Sequence, residues 1–426
     1  MIRQIESKTN SSRVRLVAES VERLDEWLDA NSWVGYDPYD ILGREPFLAF
    51  ESFRTRHSSL RGPLYAAILI PSLFPHATRR LLRVKKTANA KAAALLARSY
   101  LNLYEINKQQ RHMTRALTLL RWLVSNPSRG YKHLCWGYPF DWQSHVFLPA
   151  GTQSAIVTCV AAQSLLHGYT VTQEEWLLDA ANDCCQFLTG SLTRFEDERG
   201  ICFSYTPLDD FRVHNANLMV ACTLGLVADM MHLQEYYELA RKAVGFSLGD
   251  QTDKGAFFYW DSRYARTHAL SNWIDSLHTG YVIESLAILA RILHEAEVAR
   301  ATRKSLEFYE ANLFVGGSAP VPRLGDRINP LVVDIHDCAE AILVFARLFH
   351  LGFAPSVDRA FRVAKWTIRS MQDSEGFFHR AIYRWGRDTF PYIRWSQAWM
   401  LYALSELMKA MSSRGANFTQ NASATE

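Results

Sequence analysis

The sequence predicts an all-α (α/α)6 toroid: six outer helices around six inner ones, with short β-hairpins in the loops at a cavity mouth. Three observations carry this. Helical segments of two kinds alternate, one amphipathic and one apolar nearly all round. The apolar kind recurs at intervals of roughly 60 residues. A long loop rich in glycine and aromatic residues precedes most of them.

The chain has 426 residues, 48% hydrophobic and 21% charged, with a net charge of +4. That suffices for a large core, and so mild a charge gives no reason to expect a nucleic-acid partner. Residues 1–12 and 412–426 are small and polar and are expected to be disordered. The toroid is expected to fill 13–411 as one domain. The outer helices are placed at 13–29, 114–124, 173–188, 233–246, 301–312 and 357–371. In the last, Phe361, Ala364, Ile368 and Met371 form a stripe while Arg359, Arg362, Lys365 and Arg369 face away. The inner helices are placed at 91–103, 151–166, 217–230, 278–292, 338–348 and 397–408. A helix apolar on every side is buried on every side. Three loops, 200–205, 255–260 and 376–380, begin with glycine followed by apolar and aromatic residues, a pattern expected of short strands. A tetratricopeptide-like solenoid has a shorter period and lacks such loops.

The start of the chain lacks an apolar signal core, so the protein is expected in the cytoplasm. The apolar run 64–74 is too short to span a bilayer. It is flanked by Arg61, His76, Arg79, Arg80, Arg83, Lys85 and Lys86. It is read first as a core helix with a solvated basic end. The alternative is peripheral contact with the inner membrane or with a membrane-bound glycosyltransferase. Seven cysteines without zinc-ligand spacing are expected to be reduced, and Cys159, Cys222 and Cys338 fall in apolar helical segments, where cysteine acts as a small hydrophobe.

Inner helices three to six open with polar residues three apart, which share a helix face. The pairs are His214 and Asn217, Asp275 and His278, Asp334 and Asp337 (with His336 between), and Arg394 and Gln397. Their convergence on one mouth is the expectation; ordinary N-capping by Asp and Asn is the competing one. Arginine at a helix start opposes the dipole, so Arg394 is a candidate for an anion such as a uronate, or for pairing with a neighbouring carboxylate. The second repeat offers Asp141 between aromatics instead. Tyr39, Trp136, Tyr138, Trp142, Tyr205, Trp273 and Trp395, with Asp37 and Asp40, suit a sugar: aromatic faces cover its C–H face while carboxylates accept its hydroxyls.

Candidate acids and bases are Asp141, Asp275, Asp334, His278 and His336, with Asp275 leading. Carboxylate pairs serve glycoside hydrolysis; the histidines serve an epimerase or lyase. No compact metal-binding spacing, phosphate loop, dinucleotide fingerprint or serine-hydrolase elbow is found, so neither metal nor cofactor is expected.

Four segments carry a resemblance: 36–40 (Tyr-Asp-Pro-Tyr-Asp), 136–143 (Trp-Gly-Tyr-Pro-Phe-Asp-Trp-Gln), 272–281 (Asn-Trp-Ile-Asp-Ser-Leu-His-Thr-Gly-Tyr) and 394–399 (Arg-Trp-Ser-Gln-Ala-Trp). Over 13–411 the chain resembles the VpsJ-like proteins of bacterial exopolysaccharide and lipopolysaccharide gene clusters. The resemblance implies an α/α toroid and a role in polysaccharide biosynthesis, and supplies no catalytic residues. In architecture it is more distantly similar to unsaturated glucuronyl hydrolases, N-acylglucosamine 2-epimerases and uronyl C5-epimerases. Two functions follow as expectations. One is an enzyme that modifies a saccharide or lipid-linked saccharide. The other is a non-catalytic sugar-binding or assembly factor that partners glycosyltransferases. A prenyl-diphosphate function fits less well without an Asp-rich magnesium motif.

Overall fold

The computed structural model describes residues 2–56, 74–325, 331–353 and 357–423. Among these, the two expected rings of helices are present. The outer ring is α1 (Ile2–Asn31), α5 (Gln110–Ser125), α7 (Glu175–Gly190), α9 (Gln234–Leu248), α12 (Ala296–Asn312) and α14 (Val357–Met371). The inner ring is α4 (Ala90–Asn107), α6 (Ala155–Thr172), α8 (His214–Met231), α11 (Ser276–Leu293), α13 (Ile335–His350) and α15 (Trp399–Ser423). A π-helical segment, Ile393–Ala398, leads into α15. The minor helices α2 (Phe47–Arg56), α3 (Pro75–Leu81) and α10 (Ser262–Thr267) lie in the long loops.

Small residues let the inner helices pack closely. Ala92, Ala93, Ala94 and Ala97 of α4, and Cys338, Ala339, Ala341 and Ala346 of α13, have no exposed surface. Each inner helix packs on the next, and α15 returns to α4 to close the ring. The outer helices bury one stripe, as in α14, where Ala360, Phe361, Ala364, Ile368 and Met371 face inward. All seven cysteines are buried and free.

Loops that run from an outer to an inner helix carry the short strands. β3 (Arg194–Asp197) and β4 (Gly200–Phe203) form an antiparallel hairpin, as expected for 200–205. The other two glycine-led loops depart from expectation. Trp260 makes an isolated bridge to Val213, and Phe378 one to Gln372, because neither run has an adjacent partner strand. Further strands are β1 (Trp142–Gln143), β2 (Phe147–Leu148), β5 (Phe314–Val315) and β6 (Ala319–Pro320). A three-stranded sheet joins β7 (Leu331–Asp334), β8 (Ala381–Tyr383) and β9 (Gly386–Asp388).

The polar chain ends, expected to be disordered, continue α1 and α15 as helix. Of the apolar run 64–74, all but Phe74 lies outside the described residues; Phe74 itself is exposed. No described helix is long and apolar enough to cross a membrane.

Candidate functional site

The first turns of the inner helices surround a cavity of about 320 Å³, within the range of small-ligand sites. It receives Lys91 from α4, Ile156 from α6, Asn215 from α8, His278 and Tyr281 from α11, His336 from α13 and Arg394 from the π segment. Parallel helix starts add their dipoles to this end of the ring.

The wall is aromatic. Tyr39, Tyr138, Trp142, Tyr205, Trp273 and Trp395 all line it, with Phe140, Tyr259 and Trp260. Tyr259 stacks on Trp273 at 4.6 Å, and Tyr138 on Phe140 at 5.5 Å. Trp136, in contrast, belongs to the core: its indole N–H donates to the Leu123 carbonyl (3.2 Å), away from the cavity.

Two of the four polar pairs divide, one member facing the cavity and the other bracing the wall, and neither member of the other two lines it. His278 lines the cavity, and behind it Asp275 caps α11, accepting from the His278 backbone N–H at 2.8 Å. Asp275 also accepts from the Trp273 indole (2.8 Å) and sits 2.7 Å from His278 Nδ1. Burial would raise the Asp275 carboxyl, but the His278 imidazole and these N–H donors hold it below the usual range. The ionised carboxylate only accepts, so Nδ1 is the donor, and in the neutral ring the lone pair is then on Nε2.

His336 faces the cavity between two buried acids. Its Nε2 meets the Tyr281 hydroxyl at 2.9 Å, and burial, then Lys91 and Arg394, hold it well below the ordinary histidine range. It is a neutral imidazole. Asp334 caps α13 and accepts from the Trp395 indole (2.7 Å). Burial raises it, and raises Asp337 further with help from Asp334. Neither lines the cavity.

Arg394 does line it, but its charge is already met. Its guanidinium forms a two-pronged pair with Asp37 (Nη2–Oδ1 2.8 Å), which accounts for its raised pKa against the effect of burial. Asp37 in turn adjoins Asp40, whose Oδ1 lies 2.7 Å from Arg79 Nη2. The motif 36–40 is therefore a clamp on Arg394, with neither carboxylate offered to a ligand. His214 pairs with Asp250 (3.1 Å) and Asn217 donates to the carbonyls of Ile201 and Ala243. Gln397 holds both backbone polar groups of Phe378, and Asp141 accepts from the Ala150 N–H. The first three brace loops against helices, and Asp141 ties together the two ends of the β1–β2 hairpin.

Several lining groups escaped the sequence reading, Ser144, His145 and Asn215 among them, and two more bear directly on the chemistry. Tyr281 was quoted only as part of a motif. Lys91 was taken as a helix boundary, although a lysine opening an alanine-rich buried helix is a signal in itself. The result reverses one expectation: among the described residues, no carboxylate lines the main cavity. Nor does any group of three or more His, Cys, Asp or Glu among them have metal-binding geometry.

No protein-family profile matches the chain, and no curated protein matches its sequence. Solved structures do match its shape. A sugar epimerase from a ruminal bacterium superposes with a TM-score of 0.60 at 12% identity, covering 78% of this chain and 90% of its own. A GH76 alpha-mannanase of Bacteroides thetaiotaomicron gives 0.56 at 14%, covering 79% and 90%. A polysaccharide lyase gives 0.56 at 12%, covering 81% and 97%. Identities this low establish the shared toroid fold, which carries several chemistries.

Proposed function

We propose that this protein modifies a saccharide by moving a proton at a carbon next to a carbonyl or carboxylate, as epimerases and lyases do. One observation carries the reading: the cavity is walled by aromatic rings and presents His278, oriented by Asp275, with no carboxylate among its described lining residues. Hydrolysis by paired carboxylates needs two of them flanking the glycosidic oxygen. Asp275, Asp334 and Asp337 stand behind the wall instead.

In this scheme His278 Nε2 takes the carbon-bound proton, and the electron pair moves onto the adjoining carbonyl oxygen. Imidazolium forms beside the ionised Asp275, which stabilises it. The His336–Tyr281 pair on the neighbouring helix starts is the second proton-transfer group. Aromatic faces hold the sugar ring and exclude water. The fold's epimerase and lyase neighbours are consistent with this chemistry, and the resemblance to VpsJ-like proteins supports placing it in polysaccharide biosynthesis. There it would act on a free or lipid-linked saccharide alongside membrane-associated glycosyltransferases.

The test is exchange in deuterated water. Saccharides that bind should incorporate deuterium at one carbon with the wild-type protein and not with His278→Gln. Binding without exchange in the wild type would favour the non-catalytic sugar-binding reading.

A further inference from the structure

We propose that Lys91 is the anchor for a carboxylate, and hence that the saccharide taken by this cavity is a uronic acid. The inference rests on the proton-transfer reading above and names its substrate class.

Lys91 lies in the first turn of α4, just after the Asn89 cap, and is 3% exposed. It lines the cavity, its ammonium 5.1 Å from the Trp399 ring centre and 5.5 Å from that of Tyr281. Its backbone N–H donates to Asn89 Oδ1 (3.0 Å), but the ammonium makes no hydrogen bond or ion pair with any described residue. Of the other buried cations around the inner ring, Arg394 is matched by Asp37, Arg79 by Asp40 and Arg347 by Glu284, while Arg98 lies over the Tyr402 ring and reaches the Gln163 amide oxygen at 3.5 Å. A lone ammonium here is opposed by desolvation, by the dipole of its own helix and by Arg394. Two aromatic faces are its nearest compensation, and Glu340 and Asp37 attract it only from beyond ion-pair distance. Such a group is best explained by an anion that arrives from outside.

The groups that face Lys91 include, among the described residues, no carboxylate within ion-pair distance. Arg394 comes from the π segment, His336 and Glu340 from α13, Tyr281 from α11 and Trp399 from α15, with Asp37 behind Arg394. Glu340 is the near acid, but burial and then Glu284 push its carboxyl well above the usual range, against the pull of Arg347 and of Lys91 itself. Asp37 is committed to Arg394. A carboxylate is singled out from other anions by the reaction. The proton to be removed needs an electron sink on the adjoining carbon, and a carboxylate there receives the pair as an enediolate that Lys91 neutralises. Reprotonation on the opposite face returns the inverted uronate. Expulsion of the oxygen substituent on the next carbon, which leaves as the alcohol by taking a proton from the His336–Tyr281 pair, instead gives an unsaturated one.

Burial, then Arg394, lowers Lys91 to about 7 in the empty cavity. A bound carboxylate raises it again, so above neutrality binding must take up a proton. Affinity should then fall about tenfold per pH unit above that point, up to the pKa of the complex.

The experiment is calorimetric titration of the full chain with glucuronate, galacturonate and trigalacturonate, against glucose, galactose and maltotriose. The wild type should prefer the acidic sugars, with the pH dependence just described. Lys91→Met should weaken them on the order of 30-fold or more and leave neutral sugars unchanged. Its melting temperature should not fall, because an unmatched buried charge has been removed. Neutral sugars bound as tightly as acidic ones, or acidic sugars held equally by the variant, would overturn the Lys91 assignment while exchange on the neutral sugar kept the proton-transfer reading alive. Glucose 6-phosphate binding in place of uronates would overturn the carboxylate. A sugar adduct trapped on Lys91 by borohydride would replace the anchor with an imine. If Lys91→Met does not fold, the wild-type pH dependence decides. No binding or exchange with any saccharide would sink the underlying reading instead.

Discussion

Asp275→Asn separates capping from catalysis within one side chain. Asp275 accepts from three N–H groups: the His278 backbone at 2.8 Å, the Trp273 indole at 2.8 Å and His278 Nδ1 at 2.7 Å. Asparagine keeps one acceptor oxygen, enough for the helix cap, where it performs as well as aspartate. Its amide then meets a second donor, the indole or the imidazole, and a donor facing a donor forces the imidazole into the other tautomer. His278 Nε2 is then protonated and cannot serve as base. The stability loss should be about 1–3 kcal/mol for the lost charge-assisted bond. That corresponds to roughly 1–3 °C in a chain of this length. Loss of an oriented, charge-stabilised base should slow turnover on the order of 100- to 10,000-fold. Deuterium incorporation at saturating saccharide and a thermal melt on the same sample measure both. A variant that melts normally and exchanges within about threefold of wild type would show that Asp275 does no more than cap α11.

Three other perturbations follow. Glu105 of α4 accepts from His167 of α6 (3.0 Å) and Lys409 of α15 (2.6 Å), across the seam where first and last inner helices meet. Although burial raises it, these partners lower it to about 2. A depressed carboxyl contributes stability above its unfolded pKa and loses it as pH falls towards 2. Glu105→Gln should thus cost about 1–2 kcal/mol at pH 7, and melts taken from pH 5 down to 2 should show the difference from wild type shrinking. Gly280→Ala would put a Cβ 2.3 Å from Glu340 Cγ between α11 and α13, where overpacking costs about 1–3 kcal/mol; an unchanged denaturation midpoint would show that Glu340 has room to move. Arg394→Ala strands the buried Asp37 and should cost about 3–5 kcal/mol, read by calorimetry; a loss of under about 1 kcal/mol would mean that the pair is not formed.

The rings were legible because uniform apolarity and amphipathic stripes report burial directly, and 338–348 and 357–371 read as the inner and outer partners that they are. Residues three apart were less informative. The first turn of an inner helix faces the cavity on one side and its neighbours on the other, so Asn217 and Gln397 turned to backbone groups while His278 and His336 turned inward. Trp136 and Trp142 lie in one aromatic motif, yet only Trp142 reaches the cavity, since a loop has no period that tells its faces apart. Arg394 was rightly seen as unusual, and its partner came from 357 residues away, beyond any local signal. Lys91 was the readable exception that was passed over: a charge in a helix otherwise fit only for burial.

The most direct measurement is a crystal structure of His278→Gln soaked with a saccharide that the wild-type protein binds. The account predicts a sugar ring against the Tyr259–Trp273 stack, its carbonyl or carboxylate towards Lys91. The adjoining C–H carbon should lie about 3–3.5 Å from the position of the lost imidazole nitrogen. A sugar whose glycosidic oxygen lies between two carboxylates, or one bound with no C–H near residue 278, would contradict it.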